Sequence, residues 1–248
     1  MEPNTKMGSN KTGIDMSPIL SKKMIEGSKN LQLDGEDGYT NIALLEQFYL
    51  DNDDPLGSVP VPGTVKGMVK SAGKMLTGHY PEVFLNKLGE RLAFERSGVR
   101  IYEQLILKCE HQAANSLDGL KLPLEQLQEF RDQEAEHFRL LVDCIKILGA
   151  DPTAQTPDAD ASGVAASGLM KVITDPRTSI SQSLEAMLSI ELTDNAAWEL
   201  LIKLAEDMGQ GEMADKFRHA LTQENIHLET VKQWYEESIR SQGTMRLS

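Results

Sequence analysis

Glu134-Ala135-Glu136-His137 and, ninety residues later, Glu224-Asn225-Ile226-His227 decide the fold of this 248-residue chain. Both are Glu-x-x-His, and residues three apart project from the same face of a helix. Each lies inside an apolar stripe. Around the first the stripe is Leu127, Phe130, Glu134, His137, Leu141 and Cys144; around the second it is Phe217, Ala220, Glu224, His227, Val231 and Trp234. Two further stripes each carry a single glutamate. One runs Leu88, Leu92, Glu95, Val99, Tyr102, Ile106, and the other Leu184, Met187, Leu188, Glu191, Asn195, Trp198. Four helices are therefore expected, each with an acidic group on the side that should be buried.

The helix limits follow from the punctuation. The first runs from about Glu82 to Asn115, and Pro123 opens a second that Gly149 stops before Asp151-Pro152. Asp175-Pro176 reads as the cap and first residue of a third helix, which runs to about Met208; Gly209 and Gly211 separate it from a fourth, Glu212 to Arg240. Helices one and two are joined by a short turn at Leu117–Leu122, as are three and four at Gly209. A link of roughly thirty residues joins the pairs, and Val164–Ile173 within it suits a short helix. The expectation is all-α: a four-helix bundle of two antiparallel hairpins with one long crossover.

The turns place the glutamates. The midpoint between Glu191 and Glu224 falls near Met208, beside Gly209, so both lie at similar depth. For Glu95 and Glu134 it falls near Asn115, a looser fit to the first turn. Four ionised carboxylates in a bundle core are too costly unless compensated. Two divalent cations offset four carboxylate charges, and imidazole with carboxylate suits iron, manganese or zinc. Glu95, Glu134, His137, Glu191, Glu224 and His227 are the candidate ligands of two metal ions. Asp194, one turn beyond Glu191, is a candidate to hydrogen-bond a ligand histidine, against a plain helix-surface role. Tyr102 is read mainly as packed core and secondarily as a redox tyrosine. Gly98 either leaves space for a small molecule or lets helices approach. Trp198, Trp234 and Cys144 read as core, while His79, His111 and His219 lack ligand spacing.

At these residues the chain resembles the ferritin-like superfamily of ferritins, bacterioferritins and rubrerythrins, over about residues 82–240. Leu92-Ala93-Phe94-Glu95-Arg96 and His137-Phe138-Arg139-Leu140-Leu141 are similar to a bacterial branch known as ferritin-like domain proteins. The resemblance implies that Glu134 and Glu224 bridge two iron ions, Glu95 and Glu191 are terminal ligands, and His137 and His227 bind one ion each. It also implies reaction with oxygen or hydrogen peroxide, as an oxidase, peroxidase or ferroxidase. Manganese or a mixed iron–manganese pair fits the same ligands. Iron storage in a homo-oligomer, or a metal-braced interaction protein, are the alternatives. No CxxC pair of a rubredoxin-type iron site is present, and a long N-terminal extension departs from cage-forming relatives.

The remainder bounds the setting. Residues 1–63 form a mostly irregular extension, with Ile42–Leu50 a helical island that suits docking on the bundle or a protein partner. Residues 64–80 hold a short amphipathic helix, Thr64–Thr77, with Lys66, Lys70 and Lys74 on one face, and 241–248 a frayed tail. A net charge of −13 argues against nucleic-acid binding. Cys109 and Cys144 suggest no disulfide framework, Met1–Asn10 has no apolar signal region, and no run spans a membrane. A cytoplasmic setting is expected.

Overall fold

The computed structural model describes residues 18–30, 38–60, 81–115 and 122–243, and among them all regular structure is helical. The helix expected at Thr64–Thr77 lies outside these residues. Seven helices are numbered here in chain order: α1 Pro18–Asn30, α2 Gly38–Asn52, α3 Pro81–Asn115, α4 Leu124–Ile147, α5 Pro157–Thr174, α6 Ile180–Asp207 and α7 Gly211–Gly243. Of the described residues, those up to Pro55 form one compact unit and those from Leu56 onward another. In the first, α2 extends the helical island in both directions, and α1 is a helix that composition did not announce. Ile19, Leu20, Met24 and Ile25 on α1, and Leu44, Leu45 and Phe48 on α2, are exposed.

In the second unit α3 pairs with α4 and α6 with α7, and α3 also packs against α6. The two C-terminal stops are alike. Gly149 at φ 83° and Gly209 at φ 65° take the left-handed conformation. Ala150 N then donates to Ile145 O at 3.1 Å and Gln210 N to Ala205 O at 2.8 Å, satisfying carbonyls the helix leaves open. α7 continues through Gly243, beyond the expected end at Arg240.

The crossover holds a longer helix than expected, α5, and it lies along α3. Its start is fixed beside the start of α3: Asp158 N donates to Asn86 Oδ1 at 3.1 Å, and Lys87 pairs with Asp158 at 2.8 Å. Its end is fixed near the far end of α3. There Lys108 Nζ reaches Thr178 Oγ1 at 2.6 Å, Ser183 Oγ at 2.9 Å and Asp175 O at 3.1 Å. α5 therefore runs parallel to α3, which delivers the chain to begin α6 antiparallel to it.

The start of α6 corrects the expectation. Asp175 does not open the third long helix; it terminates α5, while its carboxylate accepts from Arg177 N at 2.9 Å. α6 begins at Ile180 behind a reciprocal cap. Gln182 N donates to Ser179 Oγ at 3.2 Å, and Ser179 N to Gln182 Oε1 at 2.9 Å. Two side-chain bonds outcompete the shape preference of a lone Pro.

The core is divided. One apolar cluster includes Tyr102, Leu105, Leu127, Phe130, Leu184 and Trp234, and the other Phe84, Leu88, Leu141, Trp198, Leu201 and Phe217. Between them, along the same stripes, lies a layer of buried polar groups drawn from α3, α4, α6 and α7.

Candidate metal centre

All six candidate ligands are in that layer, none more than 2 % exposed. The stripes place them there: each helix turns its apolar face inward, and the glutamate or Glu-x-x-His within that face goes in with it. Glu224 is central. Its Oε1 lies 2.7 Å from His137 Nδ1 and its Oε2 3.2 Å from His227 Nδ1, so one carboxylate spans both imidazoles. Glu95 Oε2 is 3.7 Å from His137 Nδ1; Glu134 Oε1 is 3.7 Å and Glu191 Oε2 3.9 Å from His227 Nδ1. Ligand-type atoms of Glu95, His137 and Glu224 lie within 4.8 Å of one another, as do those of Glu134, Glu224 and His227.

Proximity here is not hydrogen bonding. Both histidine Nδ1 atoms, both oxygens of Glu95 and of Glu224, Glu134 Oε2 and Glu191 Oε2 are buried without a hydrogen-bond partner. Buried polar atoms are ordinarily satisfied, and orphaning this many in one layer calls for an occupant. Lone pairs converging from four carboxylates and two imidazoles fit divalent cations. The residues present therefore suit a di-metal centre.

The electrostatics without a cation agree. Burial first, and Glu224 and Glu95 second, hold the Glu134 carboxyl well above its ordinary range. Glu191 is likewise raised by burial and by Glu224, although its bond from Tyr102 works the other way. Burial would lower His137, but its approach to Glu224 and Glu95 outweighs that and pushes it up to about 11. Burial would raise Glu224, but the two histidines bring it down to about 2.

The outer edges of the imidazoles are held crosswise. His137 Nε2 meets Gln223 Oε1 at 2.9 Å, and His227 Nε2 meets Gln133 Oε1 at 2.6 Å. An amide oxygen accepts only, so Nε2 carries a proton, and Nδ1 is the atom that would meet a metal once any proton of its own has left. Each Gln immediately precedes the Glu of its own half, so the repeated unit is Gln-Glu-x-x-His. Sequence reasoning passed over these glutamines, although their repetition was visible. Asn195 ties the level together, donating from Nδ2 to Glu191 O at 3.0 Å and Glu224 O at 3.1 Å.

The ion pair that Asp194 makes is with Arg91 Nη1, at 2.9 Å, and Arg91 Nε also lies 2.9 Å from Glu95 Oε1. The positions explain this: Arg91 and Glu95 are one turn apart on α3, and α6 runs beside them. Burial works against the Arg91 charge, yet Asp194 and Glu95 outweigh it. Tyr102 is fully buried, and its hydroxyl donates to Glu191 Oε1 at 2.6 Å. Its ring stands edge-on to His227 at 6.0 Å. Trp198 and Trp234 are core, and the Trp198 ring lies 5.5 Å from that of His137.

Gly98 serves Glu134. A Cβ there would collide with the Glu134 carboxylate. Because the obstructing atoms end a flexible side chain, Gly98→Ala should leave the metal-free melting temperature nearly unchanged. It should nonetheless weaken divalent-ion binding by about 10-fold or more. Isothermal titration with cobalt(II) and a thermal melt of the same sample check both halves.

The layer is not sealed. A surface cavity of about 460 Å³ between α4 and α7 reaches His137, with Gln223 beside it and Glu136, Leu140, Asp215 and His219 around it. His219, which has no ligand spacing, thus stands at this opening. No helix among the described residues is long and apolar enough to cross a membrane.

A family model described as Ferritin, ferritin-like domain, matches residues 87–239. Searches of curated proteins and of solved structures returned no match.

Proposed function

Since this chain belongs to the ferritin-like family, we propose that its buried layer binds two divalent ions, iron foremost, and reacts with oxygen or hydrogen peroxide. The observation that carries this reading is the convergence of unpartnered carboxylate and imidazole lone pairs. Glu95, Glu134, His137, Glu191, Glu224 and His227 would hold the ions, Glu224 standing between the two histidines. When bound, a pair of reduced iron ions supplies the two electrons that such an oxidant takes up.

The chain's own residues give that chemistry its setting. Gln133 and Gln223 hold the imidazoles in the ligating tautomer. The apolar clusters on either side keep bulk water from the layer. Tyr102 fixes one oxygen of Glu191 by its hydroxyl proton. The cavity at His137 gives small solutes a route to one edge of the layer. An oxidase, peroxidase or ferroxidase outcome depends on which reductant restores the reduced ions.

The test is oxidation of anaerobically loaded protein. Ferrous iron added at two equivalents per chain, then mixed with oxygen or peroxide, should give near-ultraviolet absorption of oxidised iron. Its amplitude should rise to two equivalents and level off. Tight iron binding with no faster oxidation than free ferrous iron would leave only a metal-braced bundle and end the redox reading.

A further inference from the structure

The two halves share their ligands but not their surroundings. Four residues before the lone glutamate stands Arg91 in one half and Met187 in the other. Three residues after it stands Gly98 in one half and Asp194 in the other. The two residues without a counterpart, Arg91 and Asp194, meet across α3 and α6 at 2.9 Å, only 2 % and 1 % exposed. Asp194 is also near enough to ligate. Its carboxylate, with those of Glu95, Glu134 and Glu224, forms a group whose ligand-type atoms lie within 4.8 Å of one another.

A buried carboxylate at that distance joins a divalent ion unless another cation holds it. Arg91 is such a cation, and its guanidinium does not give up its charge. It lies within ion-pair distance of both carboxylates, 2.9 Å from Asp194 at Nη1 and 2.9 Å from Glu95 at Nε. The charges also close: two divalent ions together with Arg91 balance five carboxylates. With Arg91 gone, Asp194 would carry an uncompensated buried charge, and the ion beside Glu95 would be the nearest cation able to take it.

We propose that Arg91 is a positioning residue that keeps Asp194 from ligating the ion held by Glu95 and His137, so that this ion retains a place for a small anion of hydroperoxide size. This rests on the di-metal reading above. Arg91 does its work through Asp194, whereas Met187 leaves the other half with no equivalent restraint. The two ions are therefore unlike in what they can admit, although their protein ligands are the same in kind.

Cobalt(II)-loaded full-length protein titrated with azide tests this, read by visible absorption. Wild type should take up cobalt and show a saturable azide-induced change. Arg91→Met, which copies Met187, should still bind cobalt and lose the azide response. Arg91→Met combined with Asp194→Asn should recover that response, because the intruding carboxylate is gone. An undiminished azide response in Arg91→Met overturns the proposal while leaving the metal reading intact. If Arg91→Met does not fold, Asp194→Asn decides: it should keep both cobalt and the azide response, and loss of cobalt there makes Asp194 a ligand and overturns the proposal. Absence of cobalt binding in wild type overturns both readings.

Discussion

Purified protein should take up two divalent ions per chain, and Glu224→Ala should abolish tight binding of both. The expectation comes from position. One Glu224 carboxylate lies 2.7 Å from His137 Nδ1 and 3.2 Å from His227 Nδ1, so its loss removes a ligand from each half at once. Glu134→Ala should also be severe, since Glu134 belongs to the group that includes Glu224 and His227. Asp194→Ala is the contrast. It removes a carboxylate of equal burial, but one already paired with Arg91, so two ions should remain bound. Equilibrium dialysis with cobalt(II), or with ferrous iron under anaerobic conditions, followed by elemental analysis, measures the ratio directly. Affinity in Glu224→Ala should fall by about 100-fold or more, past the range typical of supporting residues. Equal retention in Glu224→Ala and Asp194→Ala would refute the assigned roles.

The six candidate ligands were legible because they break a pattern. An ionisable group inside an apolar helical stripe is conspicuous, and the three-residue spacing of Glu134 and His137 has one simple geometric meaning. Arg91 was not legible by the same rule. A long cationic side chain beside an apolar stripe ordinarily extends to water, and nothing local says that this one remains inside. Its partner Asp194 is 103 residues away, and their meeting depends on the register of α3 against α6. That register is set by the crossover, through Asn86, Lys87 and Lys108, and no periodicity reports it. The start of α6 failed for a different reason. Ser179-Ile180-Ser181-Gln182 is a capping signature that sequence alone contains, but Asp175-Pro176 offered a competing one upstream. Helix α1 was hidden by composition, because its apolar residues stay exposed and contribute no stripe to a core.

Without metal, this protein should be less stable at pH 8 than at pH 5, and metal should reverse the trend. Glu134, Glu191 and Asp194 are held well above their ordinary values, burial being the first cause in each. An acid raised in this way keeps its proton in the folded chain at a pH where the unfolded chain has released it. Folding then binds protons, and stability is lost as pH climbs above the ordinary values of 4.5 for Glu and 3.8 for Asp. His137 points the same way: raised to about 11 from an ordinary 6.5, it contributes stability fully present below 6.5 and lost as pH rises through about 11. Glu224 opposes them only in acid, since a carboxyl lowered to about 2 loses its contribution as pH falls from 4.5 through that value. The metal-free melting temperature should therefore drop between pH 5 and pH 8, by about 5 °C or more if the loss reaches ~2 kcal/mol in a domain of this size. Divalent ions need the same groups deprotonated, so the stabilisation they give should widen over that interval. Glu134→Gln sharpens the comparison. It removes one carboxyl that must keep its proton in the folded chain, so the metal-free variant should melt above wild type at pH 8 while binding metal more weakly. A layer conserving stability for its own sake would show the opposite, with Glu134→Gln melting lower at every pH. Thermal melts of both proteins across pH 5 to 8, with chelator and with cobalt(II), separate a site that sacrifices stability for metal from a buried polar network that only braces the bundle.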